Sequence, residues 1–216
     1  MKLELSSAAI GYDRQILISC VDLTIRSGDV IFLSGANGSG KSTLAKSLIG
    51  VLPLISGRRD STFERLAYVP QSSHFETQYP LTVAELVEQG LPESPALVGW
   101  TPSVRRQRRD QAYTLLGELG LLSCATSLLR EVSGGQLQRA LIARSLIGRP
   151  DFLLLDEPFS NLDRSGRGET ARILQDYTER GATVCVIDHG DAIESSFYSR
   201  VWEIDMGHLI ERAGIT

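Results

Sequence analysis

The sequence lacks a long apolar run, and so it lacks a candidate membrane-spanning helix. Its longest apolar stretch, Leu48 to Ile55, is interrupted by Pro53 and falls short of the roughly 20 residues that a bilayer crossing needs. The N-terminus also lacks the charged-then-apolar pattern of a secretion signal. We therefore expect a protein that is not exported and that reaches a membrane only by docking on another protein.

Cysteines are few, and the charge imbalance is small. Cys20, Cys124 and Cys185 lie far apart without metal-type spacing, which is typical of reduced thiols in a cytosolic protein. A formal net charge of −4 argues against an overall electrostatic grip on nucleic acid. No internal repeat or low-complexity tract is present. The 216 residues suit a single domain with room for a subdomain.

A glycine-rich stretch from Gly35 to Ser42 reads G-x-x-x-x-G-K-S, and the chain is organised around it. The apolar strand Val30–Leu33 precedes it, and a helical pattern from Thr43 to Leu52, ending near Gly50, follows. Strand, glycine-rich loop and helix form the context of a phosphate-binding P-loop. Backbone N–H groups and the helix start would bind the anion, while Lys41 reaches the β- and γ-phosphates and Ser42 binds Mg²⁺.

Two apolar strands end in polar side chains. Asp151–Leu155 is followed by the adjacent acids Asp156 and Glu157, and Ala182–Ile187 is followed by Asp188 and His189. Open α/β folds bind ligands at the carboxyl ends of parallel strands. Because neighbours in a strand point to opposite sides, we expect one acid to face the Mg²⁺ shell and the other to face the γ-phosphate.

The remaining patterns predict a mainly helical segment inserted into an α/β frame. We expect an antiparallel β start over residues 1–33. Further strands are predicted over Leu66–Val69, Val201–Asp205 and His208–Glu211, with a turn region over Pro53–Asp60. Helices are predicted over Leu81–Gly90, Ser103–Gly117, Leu119–Arg130 with a break at Gly120, Leu137–Ile147 and Ser165–Arg180. A basic run at the start of the second of these helices (Arg105, Arg106, Arg108 and Arg109) is interpreted as a solvated face, because no aromatics interleave with it.

A serine and two glycines open the helix at Leu137, in the order Val132-Ser133-Gly134-Gly135-Gln136. Taken together, the P-loop, this motif and the Asp156-Glu157 strand resemble the nucleotide-binding domain of ATP-binding cassette (ABC) proteins over essentially the whole chain. In that family leucine usually stands where this chain has Val132. The resemblance implies a P-loop NTPase fold with a RecA-like parallel sheet. Residues 1–80 and 132–216 would form the α/β core with its N-terminal antiparallel β subdomain, and residues 81–131 the helical subdomain.

The resemblance implies ATP and Mg²⁺ as cofactors of an ATPase, with Glu157 as general base, Gln71 as a contact to Mg²⁺ and the attacking water, and His189 as the switch histidine. Mg²⁺ would also be held by Ser42 and Asp156. ATP would be contacted by Tyr12, stacking on adenine, and by Gly35, Ala36, Asn37, Gly38, Ser39, Gly40, Lys41, Ser42 and Thr43. Ser133, Gly134, Gly135 and Gln136 would contact ATP held by a second copy, with Asp163 facing that copy in a homodimer. The residues flanking His189, Asp188 and Gly190, depart from the family pattern.

The resemblance further implies the ATPase subunit of a transporter, docked on a membrane permease at the cytoplasmic face and serving a substrate-binding protein through it. The stretch Tyr79-Pro80-Leu81-Thr82-Val83 after Gln71 resembles the cassettes of zinc, manganese and iron importers. Siderophore or other importers are similar here. A soluble cassette of a non-transport machine, such as iron–sulfur cluster assembly, shares every ATP motif and stays open. A nucleic-acid ATPase is less favoured, because such proteins usually have two cassettes or long coiled-coil insertions.

Overall fold

The computed structural model describes residues 1–13, 15–71, 77–92, 101–160, 162–188 and 197–212. Along the chain, the strands are β1 (Lys2–Tyr12), β2 (Gln15–Arg26), β3 (Val30–Gly35), β4 (Ser56–Ser61), β5 (Leu66–Val69), β6 (Phe152–Asp156), β7 (Thr183–Ile187), β8 (Arg200–Asp205) and β9 (His208–Arg212). The helices are α1 (Lys41–Leu48), α2 (Val83–Glu88), α3 (Pro102–Glu118), α4 (Gly134–Leu146) and α5 (Arg164–Glu179). Among the described residues, no helix is both long and apolar enough to cross a bilayer.

The chain divides into two compact units. The first, which we call the sheet unit, comprises Met1–Tyr68, Pro150–Ser160 and Leu174–Thr216. The second, which we call the helical unit, comprises Val69–Arg149 and Asn161–Ile173.

A six-stranded sheet forms the centre of the sheet unit, in the order β5-β6-β7-β3-β8-β9. Strand β3 pairs in parallel with both β7 and β8, and β6 pairs in parallel with β7. Of these four pairings, the one between β8 and β9 is antiparallel. Every residue of β6 and β7 is buried, as expected for parallel strands covered on both faces. The carboxyl ends of β3 and β6 therefore open at the same edge of the sheet. The predicted α/β class is confirmed.

A three-stranded antiparallel sheet, in the order β2-β1-β4, forms the other sheet of this unit. The prediction of a turn region over Pro53–Asp60 was wrong, because Ser56–Ser61 pairs as strand β4 along β1. The segment is polar and rich in residues with weak strand propensity, so its pairing with β1 comes from tertiary context. The predicted antiparallel start over residues 1–33 holds for β1 and β2, whereas β3 belongs to the parallel sheet.

The helical unit contains α2, α3 and α4, and the predictions for these helices are confirmed to within three residues at either end. The predicted helix over Leu119–Arg130 was wrong: the chain forms two short 3₁₀ turns, Leu122–Cys124 and Leu129–Glu131. Gly120 adopts φ +66° just after α3 and stops the helical path. The carbonyls of Ala125 and Ser127 then accept hydrogen bonds from Ala84 N at 2.9 Å and Val83 N at 3.0 Å, at the start of α2. Leu129 N donates to Leu81 O at 2.9 Å.

The basic run on α3 is only partly a solvated face. Arg105, Arg106 and Arg109 are exposed, as predicted. Arg108 is half-buried instead, and its guanidinium donates to the carbonyl oxygens of Pro92 at 2.8 Å and of Glu88 at 3.1 Å. The interpretation of the whole run as solvated was therefore wrong for Arg108, which ties α3 to the end of α2.

Candidate nucleotide-binding site

The predicted strand, glycine-rich loop and helix are present in the sheet unit. Strand β3 ends at Gly35 with φ +148°, and a Cβ added there would lie 2.8 Å from the carbonyl oxygen of Ile204. The loop closes with a hydrogen bond from Ser39 N to Ala36 O at 3.1 Å. Gly40, with φ +102°, is the N-cap of α1. Side chains at these two glycines would be strained or would clash, which explains why the loop needs them.

The start of α1 lacks a side-chain cap. Gly40 supplies no side-chain hydrogen bond, and the first turn of α1 contains no acidic residue. The first N–H groups of a helix have no intrahelical partner, and they carry the positive end of the helix dipole. By contrast, α2 and α4 each begin with a complete capping box. The start of α1 therefore fits an anion such as phosphate.

Lys41 lies folded against the loop that it follows. Its ammonium donates to the carbonyl oxygens of Gly35 at 2.8 Å and of Ala36 at 3.0 Å, and only 6% of the residue is exposed. Burial lowers the pKa of Lys41, while the negative charges of Glu157 and Asp156 oppose that shift. The P-loop lysine and both predicted acids thus lie within electrostatic reach of one another.

Asp156 ends strand β6 and is only 5% exposed. Its Oδ2 accepts a hydrogen bond of 2.9 Å from the hydroxyl of Tyr68, which lies on the neighbouring strand β5. Burial, followed by the negative charge of Asp156, raises the pKa of Tyr68. The hydroxyl is therefore a neutral donor throughout the physiological range.

Glu157 follows strand β6 in the left-handed region, with φ +50°. Its N–H donates to the Ile187 carbonyl at 2.8 Å, and its own carbonyl accepts from the Ser160 hydroxyl at 3.0 Å. Glu157 lies after the last residue of β6, so the strand alternation from which we expected Asp156 and Glu157 to point to opposite sides does not extend to it. A turn, held at both sides of the Glu157 peptide, fixes its backbone there instead.

The other predicted contacts of the sheet unit lie at its surface or in the loop. Tyr12 is the last residue of β1, faces Gln15 across the hairpin and is 44% exposed, so its ring is available for stacking. Ser42 is exposed on the first turn of α1, whereas Thr43 is buried. Three predicted contacts in the loop are also exposed: Ala36, Asn37 and Gly38.

The serine-glycine motif begins helix α4 in the helical unit. Ser133 is the N-cap: its hydroxyl oxygen accepts from Gln136 N at 3.3 Å, and the Gln136 side chain accepts from Ser133 N at 2.9 Å. This capping box leaves the Ser133 hydroxyl hydrogen and the Gln136 amide group to act as donors. Ser133 and Gly134 are exposed, while Gly135 and Gln136 are half-buried.

Two further predicted residues lie in the helical unit. Asp163 is exposed and accepts a hydrogen bond of 2.8 Å from Gly166 N at the start of α5. Gln71 is half-buried two residues after β5 ends. His189, the predicted switch histidine, lies outside the described residues, as does Gly190.

The donor set of the sheet unit fits a Mg²⁺ ion carried by a nucleotide. Ser42 offers a hydroxyl and Asp156 a carboxylate, and oxygen is the ligand atom that Mg²⁺ prefers. Within the described ranges, no group of three or more His, Cys, Asp or Glu residues could hold a metal. An ion here would therefore depend on phosphate oxygens and water for most of its ligands, which is how Mg²⁺ binds in nucleotide sites.

Sequence reasoning missed two residues that support the predicted acids. Tyr68 was assigned only to the predicted strand Leu66–Val69, and Ser160 to no part of the site. The contact from Tyr68 to Asp156 joins residues 88 positions apart, so no local pattern reveals it. The sequence signal that was available is a tyrosine on the short strand that precedes Gln71. A buried tyrosine hydroxyl usually needs a hydrogen-bond partner, so its presence there indicates a polar contact.

Comparison with known families and proteins agrees with this geometry. The family model described as ABC transporter matches residues 18–160. The zinc transport system ATP-binding protein TroB of Treponema pallidum is 30% identical over 99% of this chain and 82% of its own length. The manganese transport system ATP-binding protein MntB of Listeria monocytogenes is 32% identical over 87% of this chain and 80% of its own length.

Solved structures share the fold. A dimeric ATP-binding cassette bound to ADP and Pi, in a post-hydrolysis state, superposes with a TM-score of 0.85 at 23% identity and covers 99% of both chains. An inward-facing metal-chelate type ABC transporter superposes with a TM-score of 0.82 at 22% identity, covering 98% of this chain and 83% of that one. With the matched family model and the relatives of at least 30% identity, these findings establish that the chain belongs to the ABC transporter family, as one of its ATP-binding cassettes.

Proposed function

We propose that this cassette hydrolyses ATP to drive import of a divalent metal ion through a separate membrane permease. The observation that carries the ATPase part is the P-loop of the sheet unit, where an uncapped helix start, Lys41 and two acids converge. The metal part rests on the zinc and manganese transport relatives, which are 30–32% identical over most of this chain. Zinc and manganese are the first substrates to test, and iron is the third.

In the proposed phosphoryl transfer, one group of residues binds the nucleotide and a second group activates the attacking water. The loop from Gly35 to Thr43 binds the phosphates through N–H groups, and Lys41 exchanges its bonds to loop carbonyls for phosphate oxygens. Tyr12 stacks on the adenine. Ser42, Gln71 and Asp156 would hold Mg²⁺, which neutralises charge that develops on the phosphates. Glu157 orients the attacking water and accepts its proton, with Gln71 contacting the same water and His189 contacting the γ-phosphate.

We propose that the active form is a homodimer with two ATP molecules at the interface. Ser133, Gly134, Gly135 and Gln136 of one copy would contact the ATP held by the P-loop of the other, with Asp163 in the facing turn. The Ser133 hydroxyl hydrogen and the Gln136 amide group, which the capping box does not use as donors, supply the chemistry for an anion contact. The cassette would dock on a permease at the cytoplasmic face of the membrane and act with a substrate-binding protein, without nucleic acid.

The substitution Glu157→Gln tests the ATPase part. We expect the variant to bind ATP, to lose roughly 10²–10⁴-fold in turnover, and to accumulate as a dimer in ATP and Mg²⁺. Turnover is measured by phosphate release and the dimer by light scattering on a sizing column. Glu118→Gln, an exposed change at the end of α3, is the matched control and should keep wild-type turnover. A Glu157→Gln variant that stays monomeric in ATP and Mg²⁺ would contradict the dimer.

Recovery of the tagged chain from solubilised membranes tests the transport part. We expect mass spectrometry to identify a permease as its partner, and cells carrying Glu157→Gln to lose uptake of radioactive zinc or manganese. Unchanged uptake of both ions, with loss of uptake of another substrate, would refute the metal assignment. Recovery with cytosolic proteins alone would instead favour a non-transport machine.

A further inference from the structure

The hydrogen bond between Tyr68 and Asp156 has no assigned role in the site described above. It joins two neighbouring strands of the parallel sheet, β5 and β6, at the edge where β6 ends. Both residues belong to the sheet unit. Tyr68 is half-buried and Asp156 is buried, so the bond is shielded from water. A hydrogen bond to an ionised group in such a place is stronger than one between neutral groups.

The bond fixes the direction of the carboxylate. The terminal torsion of an aspartate is broad, so an unsupported Asp156 could turn either oxygen toward an ion. Among the described residues, Tyr68 provides the one hydrogen bond recorded to the Asp156 side chain, and it engages Oδ2. The other oxygen, Oδ1, is thereby held in one orientation and remains available as an acceptor. Supports of this kind orient the groups that contact a metal.

A second tyrosine hydrogen bond, from helix α5 to the chain just before β6, shows what a purely structural contact looks like. The hydroxyl of Tyr177 donates to the Pro150 carbonyl at 2.7 Å, just before the opposite end of β6. That acceptor is a neutral backbone group. The acceptor of Tyr68 is instead a carboxylate whose charge acts on the P-loop lysine, Lys41. The two bonds are similar in length, but only the bond from Tyr68 reaches the site.

Resting on the proposed ATPase function, we propose that Tyr68 is a positioning residue for Mg²⁺·ATP, whose hydroxyl holds the Asp156 carboxylate so that Oδ1 faces the ion's ligand shell. Tyr68 itself contacts neither the ion nor the nucleotide. Its loss should therefore weaken the contribution of Mg²⁺ and leave the contacts between the P-loop and ATP intact. This pattern separates positioning from general damage to the fold.

The test removes the hydroxyl with Tyr68→Phe and measures ATP affinity with and without the ion. In the Glu157→Gln background, which prevents turnover, ATP dissociation constants are measured by calorimetry in EDTA and in Mg²⁺. We expect the affinity in EDTA to stay within about twofold and the gain on adding Mg²⁺ to fall by up to about tenfold. Loss of a residue that orients a metal ligand usually costs about 10–100-fold in metal affinity. We expect the low end of that range here, because phosphate oxygens supply most of the ion's ligands.

With Glu157 intact, the free Mg²⁺ that half-saturates hydrolysis should rise by about tenfold in Tyr68→Phe. Saturating Mg²⁺ should then restore most of kcat. Tyr177→Phe is the matched control: it removes a comparable hydrogen bond from the other end of β6 and should leave both Mg²⁺ readouts unchanged. Tyr68→Met, which also lacks the donor, replaces Tyr68→Phe if the latter fails to fold.

An unchanged Mg²⁺ gain in Tyr68→Phe would overturn the proposal, and so would an equal loss in Tyr177→Phe. Loss of ATP affinity in EDTA would also overturn it, because the bond would then support the whole site. These outcomes are distinct from failure of the proposed function. In that case the wild-type chain itself would bind no Mg²⁺·ATP, and both proposals would fall together.

Discussion

The left-handed backbone of Glu157 makes an unusual prediction about stability. A non-glycine residue in this region costs roughly 1–2 kcal/mol, and such strain persists where the surrounding structure imposes it. Here the Ile187 carbonyl and the Ser160 hydroxyl hold the two sides of the residue. We therefore expect the proposed catalytic glutamate to reduce the stability of the fold, and a glycine in its place to relieve the strain.

The pair Glu157→Gly and Glu157→Ala isolates this effect. Both variants lose the carboxylate, and only the glycine relieves the strained φ. Glycine also gains unfolded-state entropy, which costs the folded state about 0.4–1 kcal/mol relative to alanine. Subtracting that cost from the relieved strain, at the middle of both ranges, leaves Glu157→Gly more stable than Glu157→Ala by about 0.8 kcal/mol. Both variants should lose roughly 10²–10⁴-fold in turnover.

Urea unfolding of the nucleotide-free protein measures the difference, with the free energy of unfolding extrapolated to zero denaturant. The control pair is Gln175→Gly and Gln175→Ala, at an exposed position of α5 that belongs to the sheet unit. There glycine should be less stable than alanine by about 1 kcal/mol, the opposite sign. Equal signs at positions 157 and 175 would refute the argument from strain.

Two further predictions concern contacts that stabilise the nucleotide-free chain. Ser133→Ala removes the N-cap of α4, and we expect the nucleotide-free chain to lose about 1 kcal/mol in its free energy of unfolding. No change in urea unfolding would mean that the capping box does not stabilise α4. The hydrogen bond and ion pair with Arg65 hold the pKa of Asp151 below its usual range. This contact therefore stabilises the fold at pH values above the unfolded pKa of about 3.9. The stabilisation is lost as the pH falls through the lower pKa of the folded state. Asp151→Asn should therefore be less stable than wild type at neutral pH, and urea unfolding at several pH values should show the gap closing in acid; a gap independent of pH would contradict the assignment.

Local patterns predicted the parts of the site that are built from consecutive residues. The strand before Gly35 and the helix after Gly40 follow from an apolar run, two glycines that avoid side-chain clashes, and helical spacing. The buried runs of β6 and β7 likewise predicted parallel core strands. Thr82 and Glu85 stand at capping-box spacing in the sequence, and both hydrogen bonds of the box are present. In each case the residues that decide the structure are neighbours along the chain.

Patterns failed where distant pairing decides the structure. Strand β4 is polar and exists through its ladder with β1, so composition alone indicated a turn. The segment after Gly120 has helical spacing, yet its carbonyls accept from N–H groups at the start of α2, and Leu129 N donates to Leu81 O. The bond from Tyr68 to Asp156 spans 88 positions. The direction of Glu157 depends on a carbonyl of β7, which pairs with β6 only in the folded sheet.

The two adjacent acids, Asp156 and Glu157, are held by different contacts. This difference concerns the two roles proposed for this short segment, which are to hold an ion and to activate water. A side-chain bond from β5 holds the carboxylate of Asp156, whereas backbone and hydroxyl bonds from β7 and the following turn hold the peptide of Glu157. Ile187 of β7 also pairs with Asp156, so the two supports meet at that strand. The contacts of Tyr68 and Ser160 are separate side-chain contacts, and each can be removed by its own substitution. The two proposed roles, placement of an ion and activation of water, can in this way be perturbed one at a time, although the two acids are consecutive in the chain. Strand β5 thus holds the carboxylate of Asp156, and strand β7 with the turn after β6 holds the peptide of Glu157.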